Sequence, residues 1–182
     1  GMKSHVLDIS KEATGAEISA KSILDAKQLM GDNASKLALI YMHSAVFTEL
    51  QKQQLISNVF PSDAKVAIPT YLGYRVVTDD SAPVSVEDGV FTTYLLADGA
   101  IQRGVGTPVD FVPTEIERNA KKSTTFLYNR SAKVLHPKGM SWIGSANITK
   151  ETPSNEELAV GTNWTTASDL KNIGMVALVH KI

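Results

Sequence analysis

The sequence predicts an α+β chain with helices packed on a mixed central sheet, and three observations carry that expectation. Leu37–Met42 is an unbroken apolar run of strand length that stops at His43-Ser44, where a stretch with apolar residues at helical spacing begins. From Lys65 onward the chain changes to short runs rich in Val, Thr, Tyr and Phe, separated by Gly, Pro, Asp and Ser. Finally, Asp98-Gly99 stands between VFTTYLLA and AIQRGV, which predicts a type I′ hairpin because that turn needs positive φ at both central residues.

Residues 1–17 read as a tag scar, Gly1-Met2, followed by a tail that contributes little to the fold. Ser19 is positioned to cap a helix whose apolar residues Ile23, Leu24, Ala26, Met30 and Ala34 recur at three to four residues, with Gly31-Asp32 as its stop. The Leu37–Met42 strand follows. Ser44 is the expected cap of a helix over Ala45–Gln54, since a serine hydroxyl can accept from an otherwise unpaired amide of the first turn. Leu37, Leu39, Ile40, Val46, Phe47 and Leu50 are the expected core of this strand and helix.

Further on, KVAI before Pro69, RVVT at Arg75–Thr78 and the hairpin Val90–Ala97/Ala100–Val105 predict strands. After Pro108 and Pro113 come a strand at Thr114–Asn119 and a long one at Thr124–Leu135, closed by turn chemistry at His136-Pro137-Lys138-Gly139. MSWIG is a short returning strand. Residues 150–170 are polar and read as a loop with one helical turn near Asn155–Leu158, and NIGMVALVHKI is an apolar terminal strand. No internal repeat or low-complexity tract is visible.

Composition narrows the function. A chain of 182 residues can bury roughly 70% of the surface that it exposes when unfolded, and 43% hydrophobic with 20% charged residues is the make-up of a globular domain rather than a disordered one. A net charge of −1 gives no global drive towards nucleic acid or an anionic membrane. The absence of cysteine removes disulfides, thiolate nucleophiles and Cys-based metal sites. No apolar stretch approaches the roughly 18 residues of a membrane helix. Asn-x-Ser/Thr triplets at Asn33, Asn129, Asn147 and Asn163 are short enough to arise by chance.

No constellation for chemistry emerges. His5, His43, His136 and His180 lie far apart in the sequence, and none has a second ligand at metal spacing on its own element. His43-Ser44 could suggest a base and its nucleophile, but adjacent residues at a helix start point apart and no nucleophile elbow surrounds Ser44. Gly104-Val105-Gly106 lacks the third glycine and the helix of a phosphate-binding turn, so it reads as a strand end. No catalytic, cofactor-binding or metal residues are assigned, and no enzymatic activity is expected.

Charge is nevertheless uneven. Asp79, Asp80, Glu87, Asp88 and Asp98 give residues 79–98 a charge of −5 with no Lys or Arg. Residues 115–138 hold Arg118, Lys121, Lys122, Arg130, Lys133 and Lys138 against Glu115 and Glu117, a charge of +4. Two solvated loops, a calcium site with a DNA strip, or two complementary surfaces that meet between copies would each produce this pattern. Asp79 and Asp80 are adjacent and, in a strand, would point to opposite faces, which argues against a shared acid-base role.

The ordered segments KLALIYMHSAVFTEL, IPTYLGYRVVTDD, TTYLLADGAI, PTEIERNA and LHPKGMSWIGS, spread from about Ile18 to the end, resemble the C-terminal part of tailed-phage major capsid (coat) proteins. The resemblance implies the tailed-phage capsid fold. It assigns residues 18–112 to an axial-like domain directed towards the centre of a capsomer, and 113–182 to strands that run to a peripheral domain and a C-terminal segment. It also implies a structural subunit of a phage or prophage shell, located in the virion after assembly in the host cytoplasm. Its partners would be other coat subunits, in head-to-tail rings, with packaged DNA met only indirectly and no membrane or cofactor involved. Whole coat proteins of this kind carry an N-terminal arm, an extended loop and a long spine helix upstream, so the chain resembles a C-terminal fragment, a truncated prophage product or a short form. Two rival readings of the residues remain: a small-ligand domain or enzyme with its pocket at the carboxyl ends of the Leu37 and Arg75 strands, and a nucleic-acid binder using the +4 segment.

Overall fold

The computed structural model describes residues 3–53, 55–59, 68–85, 87–106, 112–148 and 152–182. Its strands in chain order are β1 (Val6–Asp8), β2 (Leu37–Met42), β3 (Ser57–Val59), β4 (Ile68–Tyr71), β5 (Tyr74–Thr78), β6 (Val84–Ser85), β7 (Val90–Ala97), β8 (Ile101–Gly106), β9 (Thr114–Asn119), β10 (Thr124–Asn129), β11 (Ala132–Pro137), β12 (Met140–Trp142), β13 (Trp164–Thr166) and β14 (Met175–Lys181). The helices are α1 (Ala20–Gln28), α2 (Ser44–Lys52) and α3 (Asn155–Ala159). The expected strand KVAI lies outside the described residues apart from Ile68, as do Gln54, Pro108 and the chain around the 112/113 boundary from 107 to 111.

Two compact units emerge, residues 1–100 with 139–182 and residues 101–138. β14 joins the first of these units from the far end of the chain.

In the first unit the main sheet runs β1-β14-β7-β2-β5-β4-β3. It is mixed: β1 with β14 and β2 with β5 are parallel, while β14 with β7, β2 with β7, β5 with β4 and β4 with β3 are antiparallel. β6 pairs with Phe91 and Val90, and since β14 already holds the other edge of β7 at these residues, β6 takes over the edge where β2 has ended. One face of the sheet is apolar, and Val76, Leu95, Val176 and Leu178 join the core with Ile40 and Met42.

The helices form where sequence placed them. Ser19 is extended and accepts from the Ser22 amide, while Ser22 Oγ accepts from the Ser19 amide, so a serine completes the capping box in the place usually held by Glu. Ile23, Ala26 and Met30, three and four residues apart, are buried, whereas Leu24 is 50% exposed and is not part of the inward stripe. In α2, Val46 and Leu50 are fully buried and Phe47 packs at the margin of the core. Leu37 and Ile40 are buried as expected, and Leu39 is half-buried.

Four expectations need correction. The cap of α2 is His43, not Ser44: the imidazole Nδ1 accepts from the Ala45 amide at 3.1 Å. Residues 6–18 are structural, because β1 pairs with Ala177–Val179, Ile18 N donates to Lys181 O, Lys181 N donates to Ala16 O, and Ile9 and Ile18 are buried. Asp98-Gly99 does form a turn, with Ala100 N donating to Ala97 O, but only Gly99 has positive φ (+69°), and β7 and β8 have different partners, so it is no I′ hairpin. The two-residue hairpin with positive φ at both positions is Leu72-Gly73 (+50° and +83°), joining β4 to β5 through the Tyr71/Tyr74 pair. Lastly, the long strand Thr124–Leu135 is broken at Arg130-Ser131 into β10, which pairs with β9, and β11, which pairs with β8.

The unit 101–138 consists, in its described residues, of two antiparallel ribbons, β8/β11 and β9/β10. Returning to the first unit, MSWIG pairs as β12 with β13, and the helical turn of the polar segment is α3, capped by Ser154.

Candidate functional site

At the carboxyl ends of the parallel strands β2 and β5, where a ligand reading would seek its pocket, the chain gathers His43, Ser44 and Asp80. Ser44 Oγ donates to Asp80, and His43 Nε2 lies 3.8 Å from the same carboxylate oxygen. Sequence spacing did not foresee this grouping, because Asp80 arrives from a distant loop. The arrangement is not a nucleophile with its base: Nδ1 of His43 is occupied by the helix-capping amide and Nε2 is turned towards Asp80, so neither nitrogen is free to take the Ser44 proton. Asp79 is also used locally, accepting from both the amide and the hydroxyl of Ser81, and those bonds hold its carboxyl below the usual range. Asp79 and Asp80 thus terminate β5 and fasten its exit to the start of α2.

His180 has a different setting. It is fully buried on β14 beside Phe91 and Thr93 of β7. Its Nδ1 faces the Lys181 carbonyl at 2.9 Å, which can only accept, so Nδ1 carries the hydrogen and Nε2 accepts from the Thr93 hydroxyl at 2.9 Å. Burial pushes this imidazole below the usual histidine range, with the Lys181 carbonyl acting in the opposite direction. His5 is buried at the other end of β14, its Nδ1 3.1 Å from the Met175 carbonyl. His136 lies on β11 in the separate ribbon unit. Among the described residues, no three His, Asp or Glu side chains come together in a way that could hold a metal ion. Asn163 is buried and its amide donates to Glu157 O, so that triplet does not present an open side chain.

Gly104-Val105-Gly106 belongs to β8, as expected of a strand end rather than a phosphate loop. The +4 segment is divided between the two ribbons. On β9/β10, one face is satisfied internally: Arg130 pairs with Glu115 at 2.8 Å and lies over the Tyr128 ring, Tyr128 donates to Glu117, and Phe126 stacks on Tyr128. The opposite face carries Ile116 directly across from Leu127, 69% and 67% exposed. On β8/β11, Val105 and Leu135 are both 69% exposed, on the same face as Arg103 and Lys133. A two-stranded ribbon is marginally stable alone, and exposed aliphatics at this density are a hallmark of surfaces that meet another protein. What the molecule offers is a firm, covered sheet and a set of ribbons with apolar surface still open to water, which is a description of a building block.

Comparison with known proteins gives the same description by an independent route. A family model described as "Gp13-like: Major capsid protein 13-like" matches residues 2–176. The major capsid protein of Bacillus phage SPP1 is 44% identical over 184 residues, covering 100% of this chain and 56% of that protein. Among solved structures, the holo-SrpI encapsulin complex from Synechococcus elongatus PCC 7942 is similar in fold, with a TM-score of 0.50 and 8% identity over 97% of this chain and 52% of that one. The chain thus spans about half the length of the proteins it matches. With residues 2–176 matched and 44% identity along its whole length, the chain belongs to the Gp13-like family of major capsid proteins.

Proposed function

We propose that this chain is a structural subunit of a phage or prophage capsid, whose copies associate into a shell that encloses DNA without reading it. The observation that carries the reading is family membership over residues 2–176. The open apolar faces of the ribbon unit support it, since they are surfaces that association would cover. The role is mechanical: stability of the assembly comes from buried interface, and no catalytic step or cofactor is required. In this reading the sheet-bearing unit takes the axial place in a capsomer, the 101–138 ribbons reach adjacent copies, and each subunit meets its neighbours head to tail through two different surfaces. The virion is then its location, and the host cytoplasm the place where it is made and assembled.

Light scattering on the purified chain across a concentration series, followed by negative-stain microscopy of the largest species, tests the proposal. Rings or shell fragments are the expected outcome. A chain that stays monomeric at every concentration would count against it.

A further inference from the structure

We infer that the β8/β11 face bearing Ile101, Arg103, Val105, Lys133 and Leu135 is a docking surface for a second copy of this chain, and that it receives that copy's acidic edge at β6, with Glu87 and Asp88. The inference rests on the shell-subunit reading and names the contact that the reading leaves open. The register puts Val105 opposite Lys133 and Arg103 opposite Leu135, so aliphatic and cationic side chains alternate diagonally across one face. All four are exposed, no Asp or Glu belongs to this face, and neither cation has an ion pair among the described residues. The β9/β10 ribbon of the same unit is the internal contrast, because its Arg130 is already neutralised by Glu115.

The acidic segment supplies the complement. Val84 is exposed, with Asp80 before it and Glu87 and Asp88 after it, and no Lys or Arg occurs anywhere from 79 to 98. Asp80 is held by Ser44, and Asp88 accepts from the Ser85 hydroxyl, which leaves Glu87 and Asp88 as the carboxylates that can be reversed without undoing the end of β5. An apolar centre with cations on one surface and an apolar centre with carboxylates on another form a complementary, non-identical pair, and such a head-to-tail contact gives rings where the rotation closes. A nucleic-acid strip would not need Ile101, Val105 and Leu135 on the same face as its cations.

The test is a charge exchange read by sedimentation velocity at low and high salt, with thermal midpoints as a folding control. Arg103→Glu with Lys133→Glu should weaken self-association at least about tenfold, and Glu87→Lys with Asp88→Lys should do the same. Mixing the two variants should restore association, because each then supplies the charge that the other has lost. Wild-type association should weaken between 0.1 M and 1 M salt, as the screening length falls from about 10 Å to about 3 Å. Variants that associate like the wild type, or a mixture that is not rescued, would overturn this contact while leaving the shell reading intact. Loss of binding to duplex DNA with unchanged self-association would assign the face to nucleic acid and also overturn it. A wild-type chain that never associates would instead remove the shell reading itself.

Discussion

The central strands β7 and β14 and the ribbon strands β10 and β11 are written in similar residues, but they end in opposite environments. VFTTYLLA and MVALVHK alternate buried with half-buried positions along their length, because each has neighbours on both edges and a packed face. TTFLYN and AKVLHP have one partner strand each, and their aliphatics remain largely exposed. β patterning thus specifies a strand and its two faces, whereas the partner that covers a face is a separate question. In the first unit the chain supplies the cover itself; in the second, among the described residues, the aliphatics stay exposed.

The sharpest way to test the contrast is to remove the same side chain from both places. Leu95→Ala, at a fully buried position, should lower unfolding stability by about 2–5 kcal/mol, while Leu127→Ala in the ribbon should change it by no more than about 0.5 kcal/mol in the unassociated chain. Urea titrations followed by circular dichroism would measure both, and equal losses would erase the distinction. Phe47→Ala should fall below the Leu95 value because Phe47 is only partly covered.

Turns come next in size. Gly99→Val should cost about 1–3 kcal/mol, since Gly99 has a φ of +69° that a β-branched residue resists. Leu72→Asn should stabilise the protein by several tenths of a kcal/mol, because Leu72 occupies the first left-handed position of the I′ turn and Asn tolerates it better. A midpoint lowered by Leu72→Asn would mean that the exposed leucine is needed for contact.

A pH series reads the central sheet through His180. His180 is buried neutral with its pKa lowered, so the unfolded chain takes up a proton before the folded one does. Its contribution is therefore complete above the ordinary histidine value of about 6.5 and declines as pH falls through that value towards the folded pKa. His180→Gln should flatten this slope in thermal melts between pH 7 and about pH 5, and a slope unchanged by the substitution would remove His180 as its source. Arg130→Ala, which removes the exposed Glu115 pair, should cost less than about 1 kcal/mol and diminish further in salt.

Much of the local structure was legible in the sequence. The Ser19 cap of α1, the buried positions Ile23, Ala26, Val46 and Leu50 of the two helices, the β2 run and the β9 limits follow from spacing and turn chemistry, because those are decided within a few residues. What escaped was decided at long range. Residues 1–17 look like a tail until β14 arrives to pair with β1, and Thr124–Leu135 looks continuous until its halves find different partners. Leu72-Gly73 carries no hairpin signal in the sequence because leucine is a poor candidate for positive φ, whereas Asp98-Gly99 offers a better one. The capsid resemblance is carried by ordered segments, whereas of the cations in the candidate contact only Lys133 falls in the +4 segment, and it takes the register of β8 and β11 to bring Arg103 to the same face.

The position of β14 between β1 and β7 also has a kinetic consequence. The sheet is completed only when residues separated by most of the chain meet, as in the hydrogen bond between His5 and Met175, 170 positions apart. Such closure pays a large loop entropy before any pairing repays it, so it belongs late in folding, after local ribbons such as β9/β10 have formed. Until then the β7 edge that β14 will occupy is an unpaired strand template, while the ribbons with their exposed aliphatics have already formed. Yield of correctly folded chain should therefore fall with concentration and with slowed strand closure, placing the main hazard for such a subunit in the interval between ribbon formation and the arrival of its last strand.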